Sequence, residues 1–268
     1  MSDCIVEDAD GVRLIRFNRP EAMNSLGGTL LQEMIEAFND GKRDDRVKAF
    51  VVTGEGRGWC AGADLVGMNR RGEAGVENPR TDRRFQSLDV IGGVGHAVLS
   101  IYRCDKPTIA AVNGAAAGGG FGLCSTFDIR IASDKARFTT AFMKLALAAD
   151  CGLSWFLPRL IGPEKAAEMF YTSRIVDANE ALALGIVSRV VPHDSLLEET
   201  MNFARELARK PPTAMTYTRR ALQAAQDTTI EQHLDLEWAS QTKCLAAPEF
   251  QEGVAAFVAK RAPDFSKF

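Results

Sequence analysis

Two buried strands in this chain each end in a run of glycine and alanine, and that repeated unit limits its fold more than any other feature. Residues 48–53, KAFVVT, run into Gly54-Glu-Gly-Arg-Gly-Trp-Cys-Ala-Gly-Ala-Asp64. Residues 107–112, PTIAAV, run into Asn113-Gly-Ala-Ala-Ala-Gly-Gly-Gly120. A short continuous apolar run bounded by turn residues reads as a buried strand. Small residues after it let a ligand approach the backbone and leave N–H groups free to point at it. Two such groups aimed at one carbonyl make an oxyanion hole, in which losing one donor costs about 3–4 kcal/mol of transition-state stabilisation. Tight turns packed against neighbouring elements account for the same composition without a ligand.

Around these units the pattern predicts strands at 4–7 and 12–17, joined by an Asp10-Gly11 hairpin turn. A helix over 29–41 carries Leu30, Met34, Ile35 and Phe38 on one face. Residues 67–82 are polar, rich in Gly and Arg and without a period, and read as a surface loop. A helix over 83–103 follows, with Leu88, Ile91, Val98, Leu99 and Tyr102 as its stripe. Short strands are expected at 129–132, 137–139 and 186–191. Helices are expected at 163–172, 178–184, 194–209, 212–227, 230–243 and 246–260. The chain thus divides into a mixed body, 1–195, and a helical C-terminal region, 196–268, with no low-complexity linker between them.

Composition removes several function classes. Lys and Arg total 32 against 35 Asp and Glu, so the chain is no generally basic nucleic-acid binder. The nearest thing to a basic cluster is Arg70, Arg71, Arg80, Arg83 and Arg84, which suits a phosphate groove or a solvated loop. The 6 cysteines are scattered without CxxC or His-rich spacing, so no zinc site is expected and the thiols read as reduced. The acidic start MSDCIVEDAD has no apolar signal core, and no run approaches the roughly 20 apolar residues that span a bilayer. A soluble cytoplasmic protein is the expectation. There is no GxxxxGK[ST] loop, no GxSxG elbow, and Gly120-Phe-Gly122-Leu-Cys-Ser125 lacks the last small residue of a dinucleotide fingerprint.

Read together, FNRPEAMNSL (17–26), GEGRGWCAGADL (54–65), KPTIAAVNGAAAGGG (106–120) and FDIRIAS (127–133) resemble the crotonase, or enoyl-CoA hydratase/isomerase, superfamily. The likeness continues through 152–191 to FVAKR (257–261). It implies an α/β fold: a spiral of βα units with a helical C-terminal trimerisation region. The ligand is an acyl-CoA thioester, with coenzyme A part of the substrate, no separate cofactor and no metal. A homotrimer or homohexamer is the implied assembly, with neither nucleic acid nor membrane as partner. Carried over by position, the thioester oxygen sits between the N–H groups of Ala61 and Gly119. Ala61, Gly62, Ala63, Asp64 and Leu65 lie along the adenine and pantetheine, with Ala22 near them. Phe257 and Lys260 match positions that hold the nucleotide, often from a neighbouring subunit.

The departures from the family pattern choose the chemistry. Hydratases of the family add water with two glutamates, and the matching positions here are Gly122 and Phe142. A pair of carboxylates sharing a water cannot be built from these residues. A different carboxylate, Asp150, stands in the apolar run Ala148-Ala149-Asp150-Cys151-Gly152. It reads as the N-cap of a following helix or as a site residue. Relatives that shift double bonds, or isomerise ring-epoxide CoA esters, place a catalytic acid there. The resemblance therefore implies an enoyl-CoA isomerase with Asp150 as acid and base, and an apolar pocket around that carboxylate is expected. Aryl-CoA dehalogenating relatives use an Asp at this position with a histidine on the preceding long helix. His96 lies on such a helix, off its apolar stripe, and also reads as a plain surface residue.

Overall fold

The structure, a computed structural model, describes residues 2–73 and 91–268. The chain opens with the hairpin β1 (Cys4–Ala9) and β2 (Val12–Phe17). Asp10 and Gly11 have φ of 53° and 80°, the two left-handed residues that a tight hairpin turn requires. Helix α1 (Leu30–Arg43) then leads to β3 (Ala49–Gly54), β4 (Gly58–Cys60) and α2 (Leu65–Glu73). The same order recurs in α3 (Gly92–Tyr102), β5 (Thr108–Val112), β6 (Ala115–Ala117) and α4 (Gly119–Thr126). It begins again with β7 (Ile129–Ser133) and β8 (Arg137–Thr139). There follow α5 (Leu153–Ile161), α6 (Pro163–Thr172), β9 (Val176–Asp177), α7 (Ala178–Leu184) and β10 (Arg189–Val191). The chain finishes with α8 (Leu196–Ala208), α9 (Pro212–Ala224), α10 (Ile230–Ala246) and α11 (Pro248–Val258).

Each repeat gives one strand to each of two sheets. The first sheet has the order β1-β2-β3-β5-β7-β10 and the second β4-β6-β8-β9. Within the first sheet all pairings are parallel except β1 with β2. Its residues alternate between two separate cores, as the pleat demands. Ile15, Phe17, Phe50, Val52, Ala110 and Val112 face the larger core, built around Trp59, Phe38, Phe121 and Phe138. Leu14, Val51, Ile109 and Ile131 face the other way, where Leu196, Met201 and Ala204 of α8 cover them. Both faces are therefore buried, which is why β3 and β5 read as continuous apolar runs.

Two expectations change. Residues 67–73 belong to helix α2, because the Asp64 side chain accepts the Gly67 N–H at 2.9 Å and caps it. The remainder of the expected loop, and Leu88 with the start of the helix expected over 83–103, lie outside the described residues. Helix α4 has no signature in the sequence pattern. All of its residues are buried, so it has no polar face and shows no helical period.

The C-terminal helices stand apart from both cores from α9 onward. They are tied to the body by Arg219, 6% exposed, whose Nε donates to Asp128 at 2.8 Å. Its Nη1 donates to the Tyr102 carbonyl at 2.9 Å and also to that of Cys104, satisfying the open C-terminal end of α3.

Candidate functional site

The two strand-to-loop units come together where β4 and β6 leave the second sheet. A β-carbon at Gly120 would lie 2.1 Å from the Cys60 carbonyl oxygen, and one at Gly62 would lie 2.6 Å from the Ala117 carbonyl oxygen, two residues before Gly119. Only glycine permits that approach, and Gly62 also has φ +88°. The 17–26 segment is stitched to the same place by buried Asn24. Its Nδ2 donates to the carbonyls of Gly58 at 2.7 Å and Glu55 at 3.0 Å, and its Oδ1 accepts the Arg19 N–H at 2.8 Å. Asn113 braces the other side, donating to the Gly56 carbonyl at 2.8 Å. Ala22 sits in the short 3-10 turn Pro20–Ala22, half-buried.

The backbone donors sort into used and available. Ala61 N–H donates to the Met23 carbonyl at 3.0 Å. That bond corrects the expectation for Ala61, whose N–H is spent in holding the 17–26 segment. Leu26 N–H donates to the Gly62 carbonyl at 2.7 Å, and Leu26 and Ala63 form a parallel bridge. In such a parallel bridge one residue, here Leu26, bonds to the neighbours of the other, and the other, here Ala63, turns its own N–H away. Ala63 N–H accordingly meets no acceptor among the described residues. Gly119 N–H is the first of α4 and has no partner within the helix. The available pair is therefore Ala63 and Gly119. The choice between Ala61 and Ala63 depends on which strand lies alongside, and no local signal in the sequence carries it.

Asp64 has structural work. Besides capping α2, its carboxylate pairs with Arg19 at 2.9 Å, with 18% and 15% side-chain exposure. Leu65 opens α2 and is exposed, as are Arg70 and the apolar Val66 and Met68. Arg80, Arg83 and Arg84 lie outside the described residues.

Asp150 lies beside Gly119. A β-carbon at Gly119 would stand 3.4 Å from Asp150 Oδ1, 3.1 Å from Leu26 Cδ1 and 2.7 Å from Cys151 Sγ. Asp150 is not the cap of α5; Gly152 holds that position, and no side chain caps the helix. Nor is it in a closed apolar pocket: Asp150 is exposed, and Met143, Leu145 and Leu147 of the segment leading to it are 46%, 44% and 48% exposed. The two hydratase positions are closed. A β-carbon at Gly122 would lie 2.5 Å from Cys151 Cβ. Phe142 is 4% exposed, stacked on Phe170 with ring centroids 6.4 Å apart. His96 is on the exposed face of α3.

The inner thiols are buried and held protonated. Burial pushes Cys60 and Cys124 up to about 12. Phe257, at the end of α11, is 85% exposed, and Lys260 follows it with φ +53°. Among the described residues no cluster of His, Cys, Asp and Glu has metal-binding geometry, and no helix is long and apolar enough to cross a membrane.

Comparison with known proteins agrees with this architecture. The chain is 34% identical to 1,2-epoxyphenylacetyl-CoA isomerase of Escherichia coli K12, over 96% of this chain and 95% of that protein. It is 35% identical to 4-chlorobenzoyl coenzyme A dehalogenase-1 of an Arthrobacter species, over 95% and 90%. Its backbone superposes on the crystal structure of an enoyl-CoA hydratase from Bacillus anthracis with a TM-score of 0.90, 29% identity and 100% coverage of both chains. The family model for enoyl-CoA hydratase/isomerase matches residues 7–267. With two sheets fed by repeated βα units and matches of this extent, the chain belongs to the enoyl-CoA hydratase/isomerase family and has the crotonase fold.

Proposed function

We propose that this acyl-CoA-processing enzyme is an enoyl-CoA isomerase that moves a double bond from C3 to C2, with Asp150 as its acid and base. The observation that carries the reading is the position of the Asp150 carboxylate beside Gly119, together with the closure of positions 122 and 142 to any second carboxylate. The Ala63 and Gly119 N–H groups hold the thioester oxygen. Asp150 takes a proton from C2, the electron pair spreads over the dienolate, and the charge collects on that oxygen. The same carboxyl returns the proton at C4, so no atom is gained or lost. Phe142 keeps the hydrating water out. The acyl chain, once bound, covers Asp150 with the exposed Met143, Leu145 and Leu147 and desolvates it.

Coenzyme A runs along Ala61, Gly62, Ala63, Asp64 and Leu65, past Ala22. A homotrimer or homohexamer supplies Phe257 and Lys260 to a neighbouring subunit's nucleotide. The exposed Leu222, Trp238, Phe257 and Val258, each above 70% exposed, support that self-association.

The test is turnover of a 3-enoyl-CoA in deuterium oxide. Wild type is expected to form 2-enoyl-CoA, and Asp150→Asn to lose about 100-fold or more in rate. Wild type inert toward 3-enoyl-CoA but active on a ring-epoxide or haloaryl CoA ester would overturn the isomerase assignment. The relatives with those printed activities make these the next substrates.

A further inference from the structure

Cys151 follows Asp150 in an unusual turn. Its φ is +52°, and that of Gly152 is +72°. A residue with a β-carbon holds such a conformation only where its surroundings over-determine it. Here they do so from helix α4. Gly119 and Gly122 stand three apart, on one face of that helix, and leave it bare. Cys151, 6% exposed, fills the bare face. A β-carbon at Gly122 would lie 2.5 Å from Cys151 Cβ and 2.8 Å from its carbonyl oxygen, and one at Gly119 would lie 2.7 Å from its Sγ.

We infer that Gly122 and Cys151 form a steric lock that positions Asp150. While Cys151 occupies the face of α4, position 122 has no room for a side chain. The inward turn of Cys151 in turn fixes the preceding residue over Gly119. A carboxylate delivered from position 122 and one delivered from position 150 therefore exclude each other. Cys151 acts through its shape and not as a nucleophile, and it is a positioning residue. This inference rests on the reading of Asp150 as the acid and base.

The experiment compares Gly122→Ala, Cys151→Gly, the double variant and Cys151→Ser in the full chain. Gly122→Ala is expected to lower kcat on a 3-enoyl-CoA about 100-fold, the usual effect of roughly 1 Å misplacement, with KM within about 3-fold. The double variant should be faster than Gly122→Ala alone by about 3-fold, because removing the Cys151 β-carbon relieves the 2.5 Å contact while the one to the Cys151 carbonyl oxygen at 2.8 Å stays. Cys151→Ser, of the same shape, should stay within about 3-fold of wild type. An activity-independent readout accompanies these. The Cys151 thiol, mapped by peptide mass spectrometry after disulfide-reagent labelling, should react about 10-fold faster in Gly122→Ala as the turn is displaced. Unchanged kcat and labelling in Gly122→Ala, or a double variant no faster than the single, overturns the lock. Should Gly122→Ala not fold, Cys151→Val replaces it. A β-branched residue cannot hold the left-handed turn, and a rate equal to that of Cys151→Ser overturns the lock equally. Asp150→Asn at wild-type rate sinks the reading of Asp150 alone, since thiol labelling still reports the lock.

Discussion

Asp150 Oδ1 lies 3.4 Å from the point where a β-carbon on Gly119 would stand. The residue at the start of α4 and the carboxylate thirty-one positions later thus border one small volume, and glycine keeps it open because a β-carbon there would also stand 2.7 Å from Cys151 Sγ. Two arms meet there. One is the N-terminus of a wholly buried helix, held by the strands of the second sheet. The other is a left-handed turn ahead of α5.

Filling that volume should stop the reaction without removing the ligand. In Gly119→Ala the new methyl meets Cys151 Sγ, Leu26 Cδ1 and Asp150 Oδ1 at 2.7, 3.1 and 3.4 Å. Turnover of a 3-enoyl-CoA should fall about 100-fold. Calorimetric affinity for coenzyme A should stay within a few-fold. A variant that binds and turns over normally would show that Gly119 does not border the reacting atoms.

Asp64 should report on stability and on binding together. Asp64→Ala removes the cap of α2 and the 2.9 Å pair with Arg19. The expected loss is about 1–2 kcal/mol in urea denaturation, with a raised KM for the CoA ester. Asp64→Asn still caps and should recover most of the stability. Equal losses in both variants would assign the effect to the Arg19 pair.

The Asn24 amide is expected to matter far more than its size suggests. Asn24→Ala leaves the Glu55 carbonyl and the Arg19 N–H without the Asn24 amide, and leaves the Gly58 carbonyl only its longer bond from Asn113 Nδ2 at 3.3 Å. Buried groups left unpaired should cost about 2–4 kcal/mol in urea denaturation. The same change should loosen the Met23 carbonyl that holds Ala61, so KM should rise as well. A change below about 0.5 kcal/mol, the range of an ordinary surface substitution, would contradict the stitching role.

Alkaline pH should destabilise the fold through its buried thiols. Desolvation raises Cys60 and Cys124 from 9.0 to about 12. Below pH 9 both folded and unfolded thiols keep their protons, and the full contribution is present. Between pH 9 and about 12 the unfolded chain loses protons that the folded one keeps, so stability falls as pH rises. Each thiol contributes a slope of up to about 1.4 kcal/mol per pH unit in that window. Urea midpoints measured from pH 8 to 11 should drop less steeply in a Cys60→Ala, Cys124→Ala double variant. An identical slope would show that other groups control the alkaline limb.

Part of this molecule is legible in the one-dimensional chain. The apolar runs 48–53 and 107–112 become β3 and β5, because a strand buried on both faces needs no polar partner residue. The glycine and alanine runs mark the close approach of two loops, since only such residues let backbones touch. The absence of acids at positions 122 and 142 is visible directly, and so is the presence of Asp150.

What the chain alone does not show depends on neighbours distant in sequence. Helix α4 is buried on every side, so no polar face announces it. The donor roles of Ala61 and Ala63 are set by hydrogen bonds to Met23 and a bridge to Leu26, about 37 residues earlier, and a period-two backbone gives alternate residues opposite roles. Asp150 reads locally as a helix cap, yet tertiary packing of Cys151 against Gly119 and Gly122 turns it over the start of α4. Composition and local pattern determine which residues can be strand, turn or acid. Only the packed structure decides which N–H is left over and where the carboxylate points, because both depend on atoms that the chain brings together by folding.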